Sequence, residues 1–254
     1  MSNNNWQVKK KGNRIAWERY LPEIFIIAVF LFLPIFSYAQ KSLESFAELG
    51  KYEIKYKARI VKILYDPRIT TVINKKRNEL YDINGIEGEI IRSIRTKISA
   101  NTEEYYIIDF DKGPSDDPRF IIYREKDKIL QPFFSIFGTS LVIPGNGALY
   151  VSGHTNNMFD QRKKFRLEKD KIIEVLQPYY YVGLESKVKK RINIYSTPQQ
   201  DEVVASLPEG SPVTVLLNKG EQYLLKTSFG LVGWVLIPGG SQETPIEGLY
   251  FAGD

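Results

Sequence analysis

Apolar and polar side chains alternate along much of the chain, which predicts β-strands rather than helices. Residues 52–60 read Tyr-Glu-Ile-Lys-Tyr-Lys-Ala-Arg-Ile, with an apolar or aromatic residue at every second position. This pattern is typical of a half-buried strand, because successive side chains of a strand point to opposite faces of a sheet. Further along, the strand sequences Leu141–Ile143 and Leu149–Ser152 flank Pro-Gly-Asn-Gly, and Asn-Gly strongly favours a hairpin. We therefore predict a mostly antiparallel, β-rich domain within residues 40–183.

Residues 69–98 fit either a helix or strands. Ile90, Ile94 and Ile98 follow the helical spacing i, i+4, i+8, but they also fit the period of two that strands require. The stretch is rich in β-branched side chains, which pack well in sheets. We therefore predict strands here.

The C-terminal part has the clearest pattern, with five short apolar segments between residues 192 and 236 joined by turn sequences. Leu207-Pro208-Glu209-Gly210 has proline in second place and glycine in fourth, as a type I turn prefers. Asn218-Lys219-Gly220 and Phe229-Gly230 supply two further turns. Five short strands joined this tightly can protect their edges by closing on themselves, so we predict a small five-stranded barrel.

This pattern resembles the bacterial Src-homology-3-like (SH3-like) domain, which is typically found in exported envelope proteins. The resemblance covers residues 180–238, and we assign residues 184–254 to the barrel and a C-terminal strand. It rests on Ile192-Asn193-Ile194-Tyr195, Pro198, Val203, Leu207-Pro208-Glu209-Gly210, Val213-Thr214-Val215-Leu216 and residues 230–235. In the family, a tryptophan usually opens the strand after the Gly220 turn. This chain has Gln222 there, which removes one aromatic wall of the usual groove.

The resemblance implies binding of a peptide, a cell-wall fragment or a neighbouring domain. Aromatic side chains offer large contact areas at low entropic cost, so Tyr195, Tyr223 and Trp234 are the candidate ligand-binding residues. In a second interpretation, the same rings fill the core or the rim of the barrel. The run Tyr179-Tyr180-Tyr181 has two interpretations as well: it stacks on sugars, or it is a strand that enters the barrel.

The N-terminal segment, residues 1–39, has the features of an export signal. Basic residues between Lys9 and Arg19 precede an uncharged apolar run at residues 24–36. As a helix, this run spans roughly 20 Å, which is shorter than the roughly 30 Å core of a bilayer. Ser37 and Ala39 then fit a signal-peptidase site, with Gln40 as the new N-terminus. The alternative is an uncleaved membrane-anchor helix.

Charge and cysteine content exclude several functional classes. The net charge is +5, but residues 1–39 hold five basic and two acidic residues, so the remainder is close to neutral. Nucleic acid is a disfavoured partner, because its binding requires a basic face. The chain has no cysteine, which excludes disulfides, thiolate metal sites, cysteine nucleophiles and a lipoprotein anchor. We predict no cofactor and no metal.

Two segments contain residue types that could carry other chemistry. Four aspartates crowd residues 109–117, but Gly113 comes too early for the spacing of a calcium loop, so we predict a solvated loop. His154 is the only histidine and lies in a polar segment after a predicted strand, which favours a turn over a catalytic triad. We identify no catalytic residue.

Together these features predict an exported envelope protein, in the periplasm or outside the cell, with a mainly β architecture. An antiparallel β-rich domain precedes an SH3-like barrel that recognises a peptide, a cell-wall component or an envelope protein. Two alternatives remain. A cell-wall hydrolase needs only a pair of carboxylates in a cleft, and a single-pass, membrane-anchored scaffold subunit needs only an uncleaved N-terminal helix.

Overall fold

The residues with the alternating pattern form strands, and the described residues contain no helix. The structure is a computed structural model that describes residues 48–76, 90–113, 115–127 and 129–253. Within these ranges the chain is mainly β and its sheets are mostly antiparallel, which confirms the coarse fold class expected from the sequence. The predicted N-terminal signal or anchor helix lies outside the described residues.

The strands fall into a middle region and a C-terminal region. The middle region contains β1 (Gly50–Tyr56), β2 (Arg59–Tyr65), β3 (Thr70–Lys76), β4 (Ile90–Thr96), β5 (Tyr106–Asp111), β6 (Arg119–Lys126), β7 (Ile129–Phe137), β8 (Ser140–Ile143), β9 (Ala148–Gly153), β10 (Gln161–Glu168) and β11 (Lys171–Val175). The C-terminal region contains β12 (Tyr180–Lys187), β13 (Ile192–Tyr195), β14 (Val203–Leu207), β15 (Pro212–Lys219), β16 (Gln222–Thr227) and β17 (Val232–Leu236).

The middle region is built from two sheets. One is a meander with the order β3-β4-β5-β6-β7, in which each strand pairs antiparallel with the next. The other has the order β1-β2-β8-β9-β10-β11. Between β2 and β8 the chain leaves this sheet to build the meander, and β8 returns parallel to β2, with Lys62 opposite Ser140. The antiparallel pattern therefore has one parallel exception among the described strands.

The two middle sheets share one apolar cluster. Inward-facing members from the first sheet include Ile63 and Leu141, and the meander contributes Ile108 and Phe120. All four are fully buried. Burying a side chain of this size contributes about 1.5–3 kcal/mol, so this cluster accounts for much of the attraction between the sheets.

The stretch that fits both helix and strand forms strands. β3 and β4 pair antiparallel, from Thr70 opposite Thr96 to Lys76 opposite Ile90. Ile94 and Ile98 are fully buried. The residues between these strands lie outside the described ranges. The β-branched side chains thus indicate the correct secondary structure here.

The C-terminal region forms its own sheet with the order β12-β15-β16-β17-β13-β14. The five strands predicted between residues 192 and 236 are present, and β12 adds a sixth that starts before the predicted boundary at residue 184. The pairing of β12 with β15 continues past Lys187 and Pro212 into the turn before β15. There the Val188 N–H donates to the Ser211 carbonyl at 3.0 Å, and the Gly210 N–H donates to the Val188 carbonyl at 2.8 Å.

A second apolar cluster packs against the inner face of the C-terminal sheet. Its fully buried members include Ile194, Val215 and Leu225. Met158 and Phe159, which precede β10 in the middle region, also belong to this cluster. The C-terminal cluster therefore includes side chains from the loop between β9 and β10.

The described tail after β17 is a loop, so the predicted C-terminal strand is absent from it. Gly239, Gly240 and Pro245 interrupt the apolar pattern, and Ile246 makes only an isolated bridge to Val188. The tail also holds the loop between β9 and β10. The Asn156 N–H donates to the Ala252 carbonyl at 2.6 Å, and the Ala252 N–H donates to the Asn157 carbonyl at 3.0 Å.

Candidate functional site

A row of apolar side chains crosses the outward face of the C-terminal sheet. Strand pairing places Tyr181 opposite Leu217, Leu217 opposite Leu224, and Leu224 opposite Trp234. Trp234 in turn lies opposite Tyr195, and Tyr195 lies opposite Val203. Directly paired residues share a face of the sheet, so the six side chains form one continuous line, which we call the outer row. The outer row consists of Tyr181, Leu217, Leu224, Trp234, Tyr195 and Val203.

The outer row is accessible to solvent. Its two ends are the most exposed, at 56% for Tyr181 and 49% for Val203, and the members between them are partly exposed. Val232 and Leu236 flank Trp234 on the same side of β17 and are exposed as well. A continuous exposed apolar patch is typical of an interaction surface, whereas scattered apolar side chains are ordinary.

A glycine fixes the position of Tyr181 at one end of the row. The pairing of β12 with β15 shifts register between Tyr181 and Leu184. Gly183 lies in this bulge with φ +65°, a left-handed conformation that favours glycine. A Cβ atom at Gly183 would lie 2.5 Å from the Tyr181 ring. The ring therefore packs directly on the bulged backbone, and only glycine leaves room for it.

Two cations and a further tyrosine border the row. Tyr179 packs beside Trp234, with 6.1 Å between the ring centroids. Lys219 Nζ lies 5.7 Å from the centroid of the Tyr179 ring. The Arg162 guanidinium, from β10, lies 5.7 Å from the centroid of the Tyr181 ring. Positive charge near these aromatic faces favours a ligand that combines apolar surface with anionic groups.

An open groove lies next to the outer row, at the end of the sheet formed by β12, β15 and β16. Its volume is about 760 Å³. Lys226 lines it, two residues beyond Leu224 on the same face of β16. Its other charged side chains are Glu185, Lys187 and Glu247. The outer row and this groove together offer apolar and charged contacts to one extended partner.

The structure brings together two of the three predicted site residues. Tyr195 and Trp234 are direct cross-strand neighbours in the outer row. Tyr223 is on the opposite face and is only 2% exposed, and its ring packs edge-on against Phe159 at 6.3 Å. Burial raises the pKa of the Tyr223 hydroxyl to about 12. Tyr223 is thus a core residue, as the second interpretation of these aromatics predicts, and it does not belong to the site.

Tyr179 is a further aromatic residue at the site. It reaches Trp234 from the chain just before β12. The tyrosine run at 179–181 is the sequence signal for this residue. Tyr180, by contrast, packs against the C-terminal core cluster, and its hydroxyl donates to Glu174 Oε1 at 2.8 Å.

The two segments with residue types suited to other chemistry have structural partners. The His154 Nε2–H donates to the Tyr250 carbonyl at 2.8 Å, and the two rings pack at a tilt of 54° with their centroids 4.6 Å apart. Asp111 accepts from Arg119 Nε at 2.7 Å, and Asp116 accepts from Tyr56 and Lys57. Within the described ranges, no cluster of three or more histidine, aspartate or glutamate side chains is suited to hold a metal ion.

Comparison with known proteins yields no relatives: no family model, no curated protein and no solved structure matches this chain. Among the described residues there is no helix of the length and apolarity needed to cross a bilayer.

Proposed function

We propose that this protein is an exported, non-enzymatic component of the cell envelope that binds peptidoglycan through the outer row. In this proposal, the C-terminal sheet is an SH3-like barrel. The order of its strands supports the barrel, because β13 returns to pair with β17 after the β15, β16 and β17 meander. The N-terminal sequence, with Ser37 and Ala39 before Gln40, supports export.

The observation that carries the proposal is the continuous outer row. A row of cross-strand neighbours spanning six strands gives an extended partner contact along its whole length. The aromatic rings of Tyr179, Tyr181 and Trp234 suit the apolar faces of sugar rings, and Lys219 and Arg162 suit the carboxylates of the wall peptides. This combination favours an anionic peptide-bearing glycan over a purely apolar partner.

Co-sedimentation of the full chain with purified peptidoglycan tests the proposal. We expect the wild-type protein to sediment with the polymer, and Trp234→Ala to weaken binding by about tenfold or more, since a central aromatic anchor contributes more than about 1.4 kcal/mol. Phe229→Ala is the matched control, because Phe229 is 87% exposed in the same region but lies outside the row. Wild-type protein that stays in the supernatant, or equal binding by both variants, would overturn the proposal.

N-terminal sequencing of the exported protein tests the leader separately. A chain that begins at Gln40 supports cleavage and release into the envelope. A chain that retains residues 1–39 supports the alternative of a single-pass, membrane-anchored scaffold subunit. Binding by the outer row is compatible with either result, so the two experiments report on different parts of the proposal.

A further inference from the structure

A cavity in the middle region has the composition of a small-molecule site. It lies between β7 and the β9–β11 part of the first sheet, and its volume is about 350 Å³. This volume is within the range of ligand pockets. Residues 155–157 line one side of the cavity, where hydrogen bonds to Ala252 hold the loop in place. The cavity shares no lining residue with the groove beside the outer row.

Charged side chains occupy core-facing positions at this cavity. Glu174 is directly opposite Phe165, which belongs to the middle apolar cluster, so the two side chains share a face. Lys163 precedes Phe165 by two residues and is opposite the buried Val151, so it faces the same way. The alternation of β10 and β11 thus directs two charges to the side where apolar residues are expected, and such departures commonly mark functional sites.

The two charges contact each other only loosely. Lys163 Nζ and Glu174 Oε2 are 3.6 Å apart, and the side chains are 34% and 26% exposed. The Tyr180 hydroxyl holds the other carboxylate oxygen, Oε1, at 2.8 Å. An ion pair that is this long and partly exposed to solvent contributes little to stability. Each of these side chains can therefore leave the other and pair with the opposite charge of a ligand.

Two oxygen atoms at the loop side lack hydrogen-bond partners in the described part of the chain. These are Thr155 Oγ1 and Asn157 Oδ1, on two residues that line the cavity. Thr155 is only 3% exposed. A buried polar atom without a partner is destabilising, and such departures commonly mark functional sites.

The opposite wall is apolar. Phe134 and Phe165 pack edge to face, with 5.4 Å between their centroids, and both line the cavity. Ile136 and Val151 extend this wall and are buried. The cavity therefore has an apolar side and a charged pair.

We infer that this cavity binds a free α-amino acid with an apolar side chain. The ammonium group of the ligand pairs with Glu174, the one negatively charged side chain among those that line the cavity. The carboxylate of the ligand pairs with Lys163, and its side chain contacts the phenylalanine wall. A free amino acid carries both charges on one carbon, whereas the end of a peptide carries only one of them.

Titration of the full chain with L-phenylalanine, followed by calorimetry, tests this inference. We expect saturable binding, and binding weaker by about tenfold or more for phenethylamine, which lacks the carboxylate, and for 3-phenylpropanoate, which lacks the ammonium group. L-phenylalanine amide and N-acetyl-phenylalanine, which imitate peptide ends, should bind as weakly as these. No heat of binding with L-phenylalanine, or equal affinity for all five compounds, would overturn the inference.

Substitutions locate the site. We expect Glu174→Gln and Lys163→Gln to weaken binding of L-phenylalanine by about tenfold or more. Lys164→Gln, on the opposite face of β10, should bind as the wild type does. Unchanged affinity in both cavity variants would place any binding elsewhere. The ligand series on the wild-type protein decides the question even if a variant fails to fold, and peptidoglycan binding by the outer row is measured independently.

Discussion

The C-terminal and middle regions depart from regular sheet alternation in opposite ways. The C-terminal sheet carries apolar side chains, among them Leu224 and Trp234, on the face directed to solvent. The middle region carries Lys163 and Glu174 on the face directed to its core. Apolar side chains are expected in the core and charged ones at the surface, and each region departs from this rule. Each departure therefore indicates a partner that is not part of the sheet. The two regions therefore present different kinds of site, an apolar surface and a small amphipathic cavity.

The two regions also differ in how far apart along the chain their strands pair. In the C-terminal sheet, β15, β16 and β17 pair through short turns, and its most distant pairs are those of β12 with β15 and of β13 with β17, such as Tyr195 with Trp234. In the middle region, the pairing of β2 with β8 joins residues as distant as Lys62 and Ser140. The entropic cost of closing a loop rises with its length. The longest loop closure among the described strands therefore belongs to the middle region.

Phe159→Ala gives the largest expected effect, and it tests whether the regions are separable. Phe159 comes from the loop before β10 but packs in the C-terminal cluster beside Tyr223. Removing a buried phenylalanine ring costs about 3–5 kcal/mol. We expect hydrogen exchange, measured by mass spectrometry, to accelerate in β12–β17 and to change little in β3–β7.

The control for this prediction is Phe229→Ala, which removes an exposed ring and should change stability by less than about 0.5 kcal/mol. Equal acceleration in both regions of the Phe159→Ala variant would show that they unfold as one cooperative unit. In that case, the two regions are not separable.

Gly183→Ala gives an intermediate effect and tests how the outer row is built. The new Cβ meets the Tyr181 ring at 2.5 Å, and φ +65° is unfavourable for alanine. We expect a loss of about 1–3 kcal/mol in the free energy of unfolding, measured by urea denaturation. Displacement of Tyr181 should also weaken co-sedimentation with peptidoglycan.

Gly210→Ala is the matched control, because Gly210 has φ +81° but a Cβ atom added to it would have no neighbouring atom within 4 Å. It should lose about 1–2 kcal/mol through backbone conformation alone and keep wild-type binding. If both variants bind peptidoglycan equally, the position of Tyr181 does not matter to the row.

Sequence reasoning succeeds where turn chemistry and alternation are local. The proline and glycine of Leu207-Pro208-Glu209-Gly210 mark a turn between β14 and β15, and Gly210 has the positive φ that favours glycine. The β-branched content of residues 69–98 indicates strands, and β3 and β4 are observed there. These features depend on neighbouring residues, which the sequence displays directly.

The same reasoning fails where residue type is weighed without the phase of the strand. Gln222 and Lys226 are polar and each is two positions from Leu224, so period two directs Leu224 outward and Tyr223 and Leu225 to the core. The structure buries Tyr223 and Leu225 and leaves Leu224 in the outer row. Only its residue type makes Tyr223 a candidate for binding, and its burial removes it from the site.

Contacts between distant segments cannot be predicted from the sequence, for a different reason. Nothing near β2 indicates a parallel partner that starts at Ser140, and nothing near Phe165 indicates that Phe134 of the other sheet packs against it. Each of these contacts depends on the complete course of the chain. The cavity, which is defined by three separate segments, is therefore invisible in the sequence, whereas part of the outer row is predicted through Tyr195 and Trp234.

Asp66→Asn gives the smallest expected effect and tests whether acid destabilises the middle region before the C-terminal region. The Asp66 carboxylate is buried at the end of β2, and a hydrogen bond from Arg68 lowers its pKa. Because the pKa is lower in the folded state, this contribution to stability is complete above the unfolded pKa of about 3.9 and is lost as the pH falls through the folded value. In the described chain, lowered carboxyl pKa values occur at Glu53, Asp66 and Asp116, all in the middle region. Acid should therefore accelerate hydrogen exchange in the middle region before the C-terminal sheet.

The Asp66→Asn variant should lose about 1 kcal/mol in the free energy of unfolding at neutral pH, and its stability should differ less between neutral and acidic pH than that of the wild type. Glu209 is exposed, so Glu209→Gln should follow the wild type. Acid-induced exchange that begins in β12–β17 would contradict this account, because it would place the acid-sensitive contacts in the region that has none of these three carboxyl groups.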